Sequence, residues 1–250
     1  FTPRAVEAAV ELCDRYFRDE AFPGKAVRLL RRCARDAKRE RPHARERVRI
    51  SSDFVGEVVR RETGLPERVV AVEAGRSSKG VRQSFEGRVF GQPDASRAIS
   101  DLVVAIEQGL CDPERPLANL LLIGPSGVGK TETAKALADE VFGSPDRLTR
   151  FDMSEFAEPG AASRLIGTRA APEGELTGRV RVQPYTVLLF DEIEKAHRSV
   201  LDLLLQLLDD GRLTDAAGRT VDFTNTVVAM TSNLGAEEEG RETGFKPEDD

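Results

Sequence analysis

Apolar positions along this chain fall into two regimes. Up to about residue 65 they recur at three- and four-residue spacing; from about residue 87 short continuous apolar runs alternate with helical stretches. In the first regime Val6, Val10, Cys13 and Phe17 predict an amphipathic helix over 4–19 with those four inward. Pro23-Gly24 breaks it. A second helix follows, with Leu30, Cys33, Ala34 and Ala37 inward and Arg31, Arg32, Arg35 and Arg39 outward, ended by Pro42. Ser52 is positioned to cap a third, carrying Val55, Val58 and Val59 and stopping near Gly64-Leu65-Pro66. Residues 66–86 are polar and contain Gly and Ser, and read as a linker.

In the second regime the apolar runs are Leu120–Ile123, Leu148–Met153, Val187–Phe190 and Val227–Met230. Helical stretches separate them, notably Thr131–Val141 and Ser199–Leu208. Strands that are apolar throughout and alternate with helices predict an α/β fold with a parallel sheet covered on both faces. The expected order is a helical unit over 1–65, a linker over 66–86, an α/β domain over 87–235, and an acidic tail over 236–250.

Composition narrows the function classes. With 250 residues, 40% of them hydrophobic, the chain can bury a full core without staples. No apolar run reaches the roughly 18 residues of a membrane span. Cys13, Cys33 and Cys111 are odd in number and far apart, which argues against a disulfide scaffold and fits a reducing, cytoplasmic compartment. His43 and His197 are the only histidines, too few for a His-based metal centre. The chain begins at Phe1 without a signal-peptide pattern, as expected of a piece of a longer protein. Charge is uneven: the stated net of −6 divides into +7 over residues 1–85 and −13 over the rest, which suggests two modules with different duties. The Arg-rich stretch Arg28–Arg49 raises nucleic-acid binding as a reading. A solvated helix face packed near an acidic module accounts for it better.

The sharpest chemistry lies in Gly124-Pro125-Ser126-Gly127-Val128-Gly129-Lys130-Thr131, which fits G-x-x-x-x-G-K-[ST] between an expected strand and an expected helix. Glycines let successive backbone N–H groups turn inward on phosphate oxygens, and the helix N-terminus, continuing through Glu132, adds its positive end. Lys130 supplies a charge for β- and γ-phosphates, and the Thr131 hydroxyl is suited to Mg²⁺. A dinucleotide fingerprint is excluded because Glu132 stands where a glycine is needed, and a nucleophile elbow at Ser126 fails at Val128.

A second motif is the apolar strand Val187–Phe190 running into Asp191-Glu192. Ligands of parallel sheets bind at the carboxyl ends of strands. Asp191 is thereby expected beside the phosphate loop as a metal ligand, with Glu192 as the group that takes a proton from the attacking water. His197 reads as a helix start. Thr231-Ser232-Asn233 ends another strand with a polar side chain able to orient water or touch the γ-phosphate.

Together these strings resemble the second ATPase module of the Clp family of AAA+ unfoldases and disaggregases, ClpB- or ClpC-like, over about Val89–Gly235. The matching segments are Val89-Phe90-Gly91-Gln92, the phosphate loop, Phe151–Glu155, Ser163–Gly167, Asp191–His197, Leu207 through Phe223, and Thr231–Gly235. Residues 2–40 are similar to the helical lid of the family's first module, and 50–66 to the segment joining the modules. Only about ten residues, Arg41–Ile50, stand where disaggregases carry a coiled-coil arm. The resemblance implies an AAA+ P-loop domain preceded by a helical lid. It implies Val89 and Phe90 at the adenine, Glu192 as catalytic base, and Asn233 as first sensor. It further implies ATP and Mg²⁺ as cofactors, assembly into a ring (a hexamer) and protein clients. The arginine finger and the module's own lid would follow Gly235. Residues 168–178 replace the family's Gly-Tyr-Val-Gly pore loop with a shorter segment lacking an aromatic. Two functions stand in competition: a ring ATPase that remodels protein partners, and a nucleotide-gated assembly or signalling scaffold that does not thread polypeptide.

Overall fold

The structure is a computed structural model of the chain, and it describes residues 1–18, 20–40, 48–70, 78–86 and 93–234. Three helices open it: α1 (Pro3–Tyr16), α2 (Gly24–Glu40) and α3 (Ser52–Thr63). The Thr2 side chain accepts the Ala5 N–H to start α1, with Pro3 in the first turn where its missing N–H costs nothing. Ser51, not Ser52, caps α3, and Gly64 ends it in the left-handed region.

The buried face of α1 is Ala5, Ala8, Ala9, Leu12, Cys13 and Tyr16, while Val6 and Val10 are 42% and 45% exposed. The valine stripe expected to face inward lies a turn-face away from the true one. Alanines let a neighbouring helix approach closely, so the small-residue face wins the contact with α3. In α2 the inward residues are Ala26, Leu29, Cys33 and Ala37, and Ala34 is exposed. Burial pushes the thiols of Cys13 and Cys33 up to about 11.

The stretch read as a linker holds two helices, α4 (Glu67–Val70) and α5 (Ser78–Glu86), followed by α6 (Pro93–Glu107). Val70, Val81 and Phe85 are buried in the common core. Polar composition hid these helices because only one residue in three or four of each faces inward. The expected acidic tail, 236–250, lies outside the described residues, as do Val89 and Phe90.

The α/β domain then runs β1 (Ala118–Ile123), α7 (Lys130–Phe142), β2 (Leu148–Asp152), α8 (Ala161–Ile166), α9 (Glu175–Val182), β3 (Val187–Asp191), α10 (Arg198–Asp210), the short hairpin β4 (Arg212–Thr214) and β5 (Thr220–Asp222), and β6 (Val227–Ser232). The four long strands form a parallel sheet in the order β1-β6-β3-β2. Alternate residues of β3 serve opposite cores. Val187 and Leu189 pack with Leu137 and Ala138 of α7, and Leu188 and Phe190 pack with Leu204 and Leu207 of α10. All five residues of β3 are buried, as a central parallel strand requires.

The helical unit grips the foot of this sheet. Arg18 donates to the carbonyls of Thr224 (2.7 Å), Cys111 (3.3 Å) and Asp112. Arg147 reaches the Gly64 carbonyl at 2.7 Å. Gly143 ends α7 with φ 82°, and Pro66 occupies the space where its Cβ would lie. No helix among the described residues is long and apolar enough to cross a membrane.

Candidate functional site

β1 delivers the chain into residues 124–129, and α7 begins at Lys130. Gly127 (φ 85°) and Gly129 (φ 97°) take left-handed conformations that side chains disfavour. A Cβ at either would meet no atom within 4 Å, so backbone conformation and not crowding selects glycine there. The result is an open turn at a helix N-terminus.

Parallel order places the carboxyl ends of β1, β6 and β3 side by side. A cleft of about 420 Å³ opens there, lined by Ser126, Gly127, Gly129, Lys130, Thr131, Glu132, Arg150, Asp191, Glu192 and Asn233. The sequence-selected groups of the phosphate loop, the acidic pair and the end of β6 thus share one cleft. Pro125 and Val128 belong to the same loop without lining it. His197 stands apart from the cleft and caps α10, its Nδ1 accepting the Ser199 N–H at 3.2 Å.

Inside the cleft Lys130 lies back on its own loop. Its ammonium donates to the Gly124 carbonyl and to Asn233 Oδ1 at 2.5 Å. Asn233 uses its other end as donor to Glu192 Oε1 at 3.2 Å. Asn233 therefore bridges the loop lysine and the acidic pair. Glu192 is the one non-glycine residue among those described with positive φ (57°), a conformation that costs about 1–3 kcal/mol and persists only where its surroundings hold it.

Three residues of the site escaped sequence reasoning. Arg150 of β2 reaches across to Asp191 Oδ2 at 2.6 Å. A charged residue in the middle of an expected strand was the available signal. Glu194 accepts the Asn233 N–H at 3.1 Å. Burial works against the Glu194 charge, but bonds from its own and the Asn233 backbone, the Ser232 hydroxyl and the nearby Lys130 charge outweigh it and hold its pKa below the usual carboxylate range. Lys195 pairs with Glu192 Oε2 at 2.6 Å, and that bond raises the lysine pKa. Thr231, within the polar strand end that the sequence singles out, is wholly buried with its hydroxyl on Asp191, not turned to the cleft. No local pattern announces Glu194 or Lys195, since their partners come from another element or from the turn itself.

The chemistry available is that of a charged cradle. Backbone donors and one lysine suit phosphate oxygens. Facing them, one hydroxyl (Thr131) and one carboxylate (Asp191) form an oxygen donor set suited to a small hard cation with waters completing its shell.

Residues 115–249, more than half of the chain, match the family model described as AAA domain (Cdc48 subfamily). With the relatives that follow, this match places the chain in the Clp family of AAA+ ATPases. This AAA+ chain is 47% identical over 194 residues to the ATP-dependent Clp protease ATP-binding subunit ClpC of Staphylococcus aureus (strain USA300), a match covering 76% of the chain and 24% of that protein. It is 48% identical over 194 residues to the chaperone protein ClpB of Enterococcus faecalis, covering 75% of the chain and 22% of that protein. The chain thus spans about a quarter of the length of these relatives. Among solved structures, a closed-state cryo-EM reconstruction of Hsp104 with ATPγS and FITC casein superposes with a TM-score of 0.78 at 38% identity, over 98% of this chain and 43% of that one.

Proposed function

We propose that this cleft binds ATP with Mg²⁺ and hydrolyses it, and that the module works within a ring-forming chaperone, a hexamer, that remodels or unfolds protein clients. The observation that carries the reading is that Lys130, Thr131, Asp191, Glu192 and Asn233, drawn from three separate segments, line one cleft. Lys130 exchanges its contacts with the loop carbonyl and Asn233 for the β- and γ-phosphates, while the loop N–H groups from Ser126 to Glu132 hold the remaining phosphate oxygens. Thr131 and Asp191 would hold Mg²⁺, whose charge offsets that gathering on the phosphate oxygens. Glu192 accepts the proton of the attacking water, and Asn233, already bonded to Glu192, aligns that water against the γ-phosphate. Val89 and Phe90 are proposed at the adenine on the family resemblance.

The relatives' names support the chaperone reading and not the scaffold reading. The scaffold reading keeps one observation in its favour. The segment after α8 is tied to itself and to α9: Thr168 N–H donates to the Ala171 carbonyl at 2.8 Å, and Glu173 pairs with Arg181 at 2.8 Å. Its exposed residues, 168–173, offer no large apolar surface. ATP-dependent unfolding of a tagged fluorescent protein by the complete protein carrying this chain separates the two. Loss of unfolding when Glu192→Gln is introduced supports the chaperone reading; nucleotide-dependent assembly without any unfolding supports the scaffold.

A further inference from the structure

Thr231 is 0% exposed near the carboxyl end of β6, and its single hydroxyl is used twice. It accepts the backbone N–H of Glu192 at 2.9 Å and donates its own hydrogen to Oδ1 of Asp191. The last residues that β3 and β6 pair with each other are Phe190 and Met230, so Thr231 sits one step beyond that pair, beside Asp191 at the end of β3. Two carboxylates of the cleft therefore depend on one buried oxygen.

Each bond has a separate consequence. A hydroxyl has one hydrogen, and here it goes to Asp191. That settles the rotation of the carboxylate, whose other oxygen meets Arg150 at 2.6 Å. The lone pair left over meets the Glu192 N–H, and Glu192 is the residue held at φ 57°. A left-handed glutamate relaxes to an ordinary conformation unless something retains it. Relaxation would swing its side chain away from Asn233 and the phosphate loop.

We propose that Thr231 is a positioning residue for the acidic pair: one hydroxyl that holds Asp191 in the orientation a cation needs and Glu192 in the backbone conformation proton transfer needs. The inference rests on the nucleotide reading above and deepens it. Thr231 does not line the cleft and acts only through its two neighbours.

The test compares Thr231→Val, which keeps the shape and removes the hydroxyl, with Thr231→Ser, which keeps the hydroxyl. Both are made in the complete protein carrying this chain. Three quantities are measured: kcat and KM for ATP, the Mg²⁺ concentration that half-saturates binding of a fluorescent ADP, and the thermal midpoint. Outer-shell partners of a metal ligand are commonly worth about 10–100-fold in metal affinity or activity. Thr231→Val should lose kcat and raise the Mg²⁺ requirement within that range, with ADP binding in chelator and KM nearly unchanged, and Thr231→Ser should restore both. Parental kcat and Mg²⁺ requirement in Thr231→Val would overturn the proposal. So would a Thr231→Ser variant as impaired as Thr231→Val, because packing would then be the whole effect. Should Thr231→Val not assemble, Thr231→Cys takes its place: its thiol is a weak donor and acceptor, so the Mg²⁺ requirement should still rise, and a parental value overturns the idea. Lys130→Ala is run alongside. If it leaves ADP binding intact, the nucleotide reading fails and this inference with it. If it abolishes binding while Thr231→Val changes nothing, the role of Thr231 alone is lost.

Discussion

Tyr185 stands edge-on to Tyr16, ring centroids 6.2 Å apart at 72°, and its hydroxyl donates to the Tyr16 backbone carbonyl. Tyr185 lies two residues before β3, the strand that ends in Asp191, and Tyr16 closes α1. The helical unit is thus fastened to the opposite end of the strand that carries the acidic pair. Removing the donor with Tyr185→Phe should cost about 0.5–1.5 kcal/mol, the usual net worth of an intramolecular hydrogen bond, and lower the thermal midpoint without altering nucleotide affinity. A melting curve and a nucleotide titration on the same sample check both halves.

Arg18 makes a heavier contribution to the same junction, with three backbone carbonyls on one guanidinium. Arg18→Ala should destabilise by about 1.5–3 kcal/mol, since hydrogen bonds to a charged group exceed neutral ones and the carbonyls lose their partner. Arg18→Lys should recover part of this only, because an ammonium cannot span the same fork. Chemical denaturation of the three proteins gives the ordering.

Lys130→Ala should weaken ATP binding at least about tenfold, the equivalent of a charge-assisted bond of roughly 1.5–3 kcal/mol. Titration calorimetry reads it directly. Unchanged affinity would remove Lys130 from the site.

Glu192→Gln should divide binding from turnover. The amide keeps the size and the bond to Asn233 but takes no proton, so hydrolysis should fall about 10²–10⁴-fold while ATP stays bound. Steady-state turnover at the parental rate would show that Glu192 is not the base.

Asp215 gives a pH prediction. Its buried carboxylate receives Arg181 at 2.6 Å, Arg219 at 2.8 Å and the N–H groups of Ala217 and Arg219. Burial alone would raise its pKa; the Arg219 backbone and guanidinium bonds and the Ala217 N–H overcome that and depress it below the ordinary 3.8. A depressed carboxylate contributes stability that is present above its unfolded pKa and lost as pH falls through the folded one. The stability gap between parent and Asp215→Asn should therefore be full at pH 7 and shrink below about pH 4. Thermal midpoints measured across that range test the sign.

Much of this was legible in the chain. The four apolar runs became the four parallel strands, each within about two residues of its expected ends; β3 and β6 are buried nearly throughout and have no polar face to obscure them, whereas β1 and β2 leave most of their residues exposed or half-exposed and were legible from their short apolar runs alone. The phosphate loop was legible for a different reason: its glycines and lysine are needed in a fixed local order by one turn of backbone. Helices were read less well. Valines drew the α1 face toward Val6 and Val10, whereas alanine packing decided it, and α4 and α5 were concealed in polar composition.

The sequence by itself determined that Lys130 follows a glycine turn and that Asp191 and Glu192 end a buried strand, since both are properties of contiguous residues. Which strand lies between β1 and β3 is another matter. β6 is inserted there from the far end of the chain, and that insertion alone brings Thr231 and Asn233 to Asp191, Glu192 and Lys130. The physical reason is the range of the interactions. Periodicity records which face of a segment is buried, but parallel strands are joined by crossovers of a dozen residues or more, and nothing local names the neighbour. Only the closed sheet decided that one buried hydroxyl would meet the Asp191 carboxylate and the Glu192 backbone N–H some forty residues away.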